Sequence, residues 1–211
     1  MRSSWPFDDF AVSDSNLTLR PVRDADIGDL VAIFPDDFDL DPAYPPLPGM
    51  PLAVDRERRL VQSIWRHRGL WSIDDWVLDF GVWRGGEPLG IQTLEGTRFT
   101  QQRTVDSASW IAKPFRGKGF GIQARELALA FAFEQLGADK AITSALVTNH
   151  ASLGVSRHLG YRDDGIRSHD TGTETIDLQH LVLGRSDWSA QPRTRLSVSG
   201  FDPCRPFFGL A

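Results

Sequence analysis

Lys113-Pro114-Phe115-Arg116-Gly117-Lys118-Gly119-Phe120-Gly121 joins a segment of strand character, Thr104 to Ala112, to a long helical pattern, Gly121 to Leu136. Glycines lacking Cβ let backbone N–H groups approach an anion closely. The helix that follows adds free N–H groups and the positive end of its dipole. Arg116, Lys118 and Arg125 add positive charge. The stretch therefore reads as a cradle for a diphosphate. A Walker A loop would need glycine where Ala112 stands and serine or threonine where Gly119 stands, so that reading fails. Gly119, Gly121 and Ala124 do satisfy the dinucleotide fingerprint G-x-G-x-x-A. That fingerprint also wants an acid at the end of the next strand, where Val147-Thr148-Asn149 stands instead. A plain glycine-rich turn is the bland alternative.

Working outward, the helix carries Ile122, Leu129, Phe133 and Leu136 on one face and stops at Gly137. Lys140 to Val147 reads as a buried strand, Ala151 to Leu159 as a helix, and Gly160-Tyr161 as the start of another strand. Thr175 to Leu183 is the last clear strand. Upstream, Leu17 to Arg20 alternates as a strand. Asp24 can cap a helix through Ile27, Leu30, Val31 and Phe34, and Asp55 to His67 is a second helix. Residues 35–53 hold six prolines and four aspartates and read as a long surface loop. Trp76 to Trp83 and Leu89 to Leu94 flank Arg84-Gly85-Gly86-Glu87-Pro88 as a hairpin. The order β-α-α-β-β-β-α-β-α-β-β predicts an α/β chain of the α+β kind: a mixed, mostly antiparallel sheet of about seven strands flanked by four helices. Residues 1–16 are expected to form an N-terminal arm, 17–184 the domain, and 185–211 a tail packing on the domain or on a partner subunit.

The 211 residues, 41% hydrophobic and 24% charged, suit one domain. A net charge of −5 argues against a nucleic-acid partner, which needs a basic surface. No apolar run reaches the length of a membrane span, about 18 residues. Cys204 is the single cysteine, so no internal disulfide is possible. With no signal-peptide run at Met1 to Pro6, a cytoplasmic location is expected. The five histidines, at 67, 150, 158, 169 and 180, show no zinc spacing, and no metal is expected.

Arg116-x-x-Gly119-x-Gly121, followed downstream by Asn149-His150-Ala151-Ser152 and Leu159-Gly160-Tyr161, resembles the coenzyme A signature of the GNAT acyltransferase superfamily. The resemblance spans roughly residues 17–183. Ser109-Trp110-Ile111 and Ser152 are similar to the RimJ/RimL-like branch, the ribosomal-protein N-terminal acetyltransferases. It implies an enzyme that moves an acyl group from a coenzyme A thioester, acetyl-CoA or alternatively succinyl-CoA, to an amine. The acceptor would be a small molecule, a protein N-terminus or a lysine, and the enzyme a homo-oligomer, most simply a dimer. The coenzyme would contact Ile111, Lys113, Arg116, Gly117, Lys118, Gly119, Phe120, Gly121, Asn149 and Ser152. Asn149 is also placed to cap the helix that follows. A coenzyme-sensing module without turnover and an assembly protein built on the Phe-rich tail are the alternatives from other classes.

An amine must lose its proton before it attacks, so a base is useful. Asp106, sharing a strand face with Ala108 and Trp110, is the candidate, where family members often carry glutamate. Many members place a tyrosine seven residues after the asparagine, to serve the leaving thiolate. Ser156 stands at that position here and is the candidate for the same service. The acidic run Asp36, Asp37, Asp39 and Asp41 is expected to border the acceptor cleft and attract a protonated amine.

Overall fold

The computed structural model describes residues 4–38, 44–170, 174–189 and 195–210. Nine strands form one sheet: β1 (Ala11–Ser13), β2 (Thr18–Pro21), β3 (Trp76–Arg84), β4 (Glu87–Gly96), β5 (Thr104–Ile111), β6 (Lys140–Leu146), β7 (Arg162–Asp170), β8 (Thr175–Gly184) and β9 (Ser197–Ser199). Their order across the sheet is β7-β8-β6-β5-β4-β3-β2-β1-β9. β5 and β6 run parallel, and the other pairings among the described residues are antiparallel. The parallel pair follows from the helical crossover between its strands, and the hairpins impose the antiparallel neighbours.

Six α-helices accompany the sheet: α1 (Ile27–Ala32), α2 (Leu52–Gly69), α3 (Phe99–Gln102), α4 (Phe120–Ala130), α5 (His150–His158) and α6 (Arg185–Ser189). α1 and α2 cover one face, where Val22, Leu30, Leu60, Ile64, Ile91 and Trp110 form a small core. α4 and α5 belong to the other face, over a larger core that includes Phe80, Leu94, Val105, Leu127, Phe131 and Leu153. Strand alternation feeds both. In β4, Ile91 faces the first core and Leu94 the second.

Two strands exceed the seven expected. β1 and β9 are three residues each, too short for alternation to declare them, and they exist because they pair with each other and with β2. The helix expected to run unbroken to Leu136 instead ends its α-helical part at Ala130 and widens into a π-helical turn, Phe131–Gln135. Leu136 N–H then reaches back to Phe131 O, and the arrangement keeps Phe131 and Phe133 both buried. After β8 the chain enters α6, then β9 and a 3-10 turn, Asp202–Phe208. Phe201, Cys204 and Phe208 of that stretch are buried in the chain's own core, which removes them from the assembly role considered above. Phe201 packs on Phe10 and Phe131, at 5.2 and 4.9 Å between ring centres.

Candidate active site

β5 and β6 stay together only from Thr104–Lys140 to Asp106–Ile142. Beyond that pair they part, and Thr143 Oγ1 donates to Ser107 O at 2.9 Å across the apex of the fork. Asp106 therefore sits at the last paired position before the gap. Its Oδ1 accepts the Ser107 N–H at 2.6 Å. Register places it opposite Glu95 of β4, on the face covered by α1 and α2. Burial, helped by the Glu95 carboxylate, pushes the Asp106 carboxyl up to about 6, against the opposing pull of Ser107 N–H and Arg125. A carboxylate with that pKa is a better proton acceptor near neutral pH than an ordinary aspartate.

On the same face a cleft of about 410 Å³ opens between α2 and β3–β5. Phe34, Phe38, Leu60, Ile64 and Trp110 give it apolar walls, and Asp79, Thr93 and Glu95 give it a polar floor. Phe34 and Trp110 meet at 5.2 Å between ring centres. A second cleft of about 360 Å³ shares Tyr44, His67, Val77 and Glu95 with it, so the two adjoin. His67 Nδ1 lies 2.7 Å from Asp79 Oδ2, and Thr93 Oγ1 donates to Asp79 Oδ1 at 2.8 Å. The sequence reading missed this His67–Asp79 pair. Its members are 12 residues apart on a helix and a strand, with no local spacing to announce them.

The glycine turn lies at the start of α4. Gly117 and Gly119 take φ of 72° and 84°, left-handed values that other residues adopt only under strain, and a Cβ at either would meet open space. The turn thus presents bare backbone to solvent at a helix start. Lys113 begins the 3-10 turn Lys113–Phe115, Arg116 Nε donates to Ile111 O at 2.9 Å, and Lys118 stacks on Phe115 at 5.7 Å. The Phe120 side chain is buried beneath the turn, leaving its backbone as the part that could meet a ligand. The Gly121 position packs on Ile111.

Two side chains occupy these cations from the other side. Arg116 makes a bidentate pair with Asp37, both bonds 2.8 Å, and Lys113 pairs with Asp36. The Arg116 guanidinium holds the Asp37 carboxyl down at about 2. The described half of the acidic run is therefore engaged by the glycine turn; Asp39 and Asp41 lie outside the described residues.

Across the gap, Asn149 caps α5 by accepting the Ser152 N–H at 3.1 Å. Its Nδ2 has no hydrogen bond among the described residues, so capping leaves it available. Ser156 is 1% exposed, and its hydroxyl donates to Ser152 O at 3.2 Å. Arg125 overturns its sequence reading as a phosphate-side charge. It is 3% exposed and turned inward, with Nη1 donating to Ser156 Oγ at 2.9 Å and Nη2 to Ser109 Oγ at 3.0 Å. Its phase on α4 was the available signal: it stands three residues after Ile122 and four before Leu129, inside the apolar stripe. Cys204 is buried far along the chain, its thiol pushed up to about 12 by burial. Among the described residues no cluster of metal-ligating side chains occurs, and no helix is long and apolar enough to cross a membrane.

A sheet that forks beside a bare glycine turn, with an aspartate at the apex and a half-apolar cleft behind it, is the frame of an acyl-coenzyme A transferase. The chain belongs to the GNAT acetyltransferase family: the family model described as an acetyltransferase (GNAT) domain matches residues 16–162. It is therefore an acyl-CoA-dependent N-acetyltransferase by family. It is similar to YdaF of Bacillus subtilis (strain 168), named as a candidate ribosomal N-acetyltransferase, at 27% identity over 143 residues, 67% of this chain and 76% of YdaF. Its fold resembles Mycobacterium smegmatis RimJ in complex with CoA-disulfide, with a TM-score of 0.69 at 20% identity over 90% of this chain and 92% of RimJ. It also resembles a spermidine N-acetyltransferase SpeG chimera of Vibrio cholerae and hSSAT, with a TM-score of 0.63 at 18% identity over 84% and 100%.

Proposed function

We propose that the chain transfers an acetyl group, or another short acyl group such as succinyl, from coenzyme A to a primary amine by direct attack in a ternary complex. The observation that carries this reading is Asp106: a carboxylate at the apex of the fork, with its pKa raised to about 6, on the face that holds the cleft. The coenzyme's diphosphate would rest on the Arg116–Gly121 turn, with Lys113 and Lys118 beside it. Its pantetheine arm would run along β5 near Ile111 and against Asn149 and Ser152. The thioester would then lie in the gap beyond Ser107.

The chemistry follows from that placement. The ammonium of the acceptor gives a proton to Asp106, directly or through a water. The free amine attacks the thioester carbon, a C–N bond forms, the C–S bond breaks with its electron pair on sulfur, and the nitrogen loses its second proton to water as it becomes an amide. Ser156 donates a hydrogen bond to the departing thiolate. The cleft supports an acceptor with a protonated amine carried on an apolar body, because the Glu95 carboxylate stands in its floor among aromatic walls, while Asp79 is held by His67 and Thr93 and Arg59 also lines the cleft. Such a group can be a protein N-terminus, a lysine or a small amine, and the names of YdaF and the SpeG chimera fit that range. Assaying free thiol from acetyl-CoA and succinyl-CoA with a panel of N-terminal peptides, lysine peptides, spermidine and arylalkylamines tests the proposal. Saturable release with a primary amine, lost in Asp106→Asn, is expected. Release no faster than thioester hydrolysis with every amine would overturn it.

A further inference from the structure

Arg125 is a buried cation with no ion-pair partner among the described residues, and Asp106 is the one carboxylate whose charge acts on it. It lies on α4 at 3% exposure, its Nε has no partner, and no carboxylate among the described residues forms an ion pair with it. Burial drives its pKa down, with Tyr161 and Asp106 pulling the other way. An isolated buried charge is costly to a fold, and apolar residues fill such positions more cheaply. The position of this one suggests what it is kept for. Its two hydrogen bonds run to Ser109 on β5 and Ser156 on α5, on opposite sides of the gap that opens after Asp106.

We infer that Arg125 is a positioning residue for acyl transfer: held between Ser109 and Ser156, it polarises the Ser156 hydroxyl so that this hydroxyl stabilises the coenzyme thiolate as it leaves. The inference rests on the proposed placement of the sulfur beside Ser156. A serine hydroxyl is a weak donor on its own. A guanidinium donating into its oxygen withdraws charge from the O–H bond, and hydrogen bonds coupled in this way strengthen one another. At rest the hydroxyl hydrogen points to Ser152 O at 3.2 Å, a long bond that is readily given up. When the C–S bond breaks, the hydroxyl turns to the sulfur, and the thiolate supplies a counter-charge to Arg125 once Asp106, the carboxylate acting on it, has taken the amine's proton. The first proton released by the amine goes to Asp106, and the second, lost as the nitrogen becomes an amide, passes to water, so Ser156 has only to donate a hydrogen bond. The charged and titratable groups facing Arg125 are Asp106 from β5 and Tyr161 from the segment after α5.

The test reads the coenzyme directly. Free coenzyme A is bound to the full chain, and the ultraviolet absorbance of its thiolate is followed against pH. In the wild type the bound thiol should ionise at lower pH than free coenzyme A. Arg125→Met should cut the ionised-to-protonated ratio at a given pH on the order of tenfold, the size of one charge-assisted hydrogen bond. Arg125→Lys should retain most of the ionisation. Ser156→Ala should match Arg125→Met, and the double variant should lose no more than either. Calorimetric affinity for coenzyme A should stay near wild type in Arg125→Met while kcat falls, because Arg125 does not reach the phosphates.

A wild-type thiol that titrates like free coenzyme A overturns the inference without any variant, should Arg125→Met fail to fold. A normal titration in Arg125→Met alongside an altered one in Ser156→Ala leaves Ser156 at the sulfur and makes Arg125 merely structural. A normal titration in Ser156→Ala with intact affinity removes Ser156 from the sulfur, and the inference with it.

Discussion

Replacing Asp106 by asparagine should make the protein more stable and almost inactive. In the native chain the carboxyl is moved from an ordinary 3.8 to about 6, chiefly by burial. That change corresponds to about 3 kcal/mol of differential interaction between the protonated and ionised forms. Because the folded-state pKa is raised, the folded protein holds this proton more tightly than the unfolded chain does. The associated stability is full below 3.8 and is lost as pH rises through about 6. At neutral pH the wild type carries the whole penalty. Asparagine keeps an oxygen for the Ser107 N–H, 2.6 Å away in the native chain, and carries no charge. Partial exposure of the site reduces the gain, so about 1–3 kcal/mol is expected at neutral pH. Urea unfolding of both proteins, from acidic to neutral pH, measures it: the curves should converge at the acid end and separate through the window between 3.8 and about 6. Turnover of a lysine-type acceptor at neutral pH should fall by about 10²-fold or more, with coenzyme affinity unchanged. Parallel stability curves across that window would show a carboxyl titrating normally, and the physical reason for giving Asp106 the proton would be gone.

Glu95→Gln removes the neighbouring negative charge, so the acid limb of kcat/KM, which rises with pH as Asp106 ionises, should move to lower pH; an unmoved limb would mean another group sets it. Gly119→Glu puts a side chain at φ 84° and a negative charge against the diphosphate, and calorimetry should show coenzyme A binding largely lost; unchanged affinity would move the site elsewhere. Asp36→Asn with Asp37→Asn frees Lys113 and Arg116, and coenzyme A should bind roughly a few-fold tighter at low salt, with the gain shrinking as salt rises. Weaker binding would show that the two aspartates support the turn instead of competing for it. Truncation after residue 195 removes the partners of Phe7, Phe10 and Phe131 and should leave a chain without a cooperative unfolding transition, read by circular dichroism.

The parallel pair and the turn between its strands were legible because their parts are local. A strand, a glycine turn and an apolar helical stripe follow one another in sequence, and a crossover helix requires a parallel neighbour. Asn149 was legible twice, as a helix cap and through the family's motif, and the cap is visible in the structure. Asp106 could be placed on its face by alternation alone, whereas its raised pKa comes from burial, helped by Glu95, and both exist only once the sheet and its β4–β5 register have formed. Arg125 was misjudged because charge was weighed before helical phase. Asp36 and Asp37 were read as bordering the acceptor cleft, whose walls do include Phe34 and Phe38 on either side of them, but their pairing with cations 77 and 79 residues away could not be read from a linear sequence. The His67–Asp79 pair and the short β1 and β9 belong to the same class: they exist only once distant elements have packed.

The pairing of β1 with β9 also sets when this protein can fold. β1 waits for a strand far downstream of it, and Gly200, right after β9, lies so close to Asp9 O that a Cβ would stand 2.0 Å away. Until that closure, Phe7 and Phe10 lack the covering rings of Phe201 and Phe208, and the outer edge of β1 is open. Contacts between the two ends of a chain are the slowest to form, and an open edge beside bare aromatics invites other chains. Until residues 197–208 are in place the folding chain is thus exposed along that edge, and a variant that loses this closure should be sticky and not merely a slightly weakened enzyme.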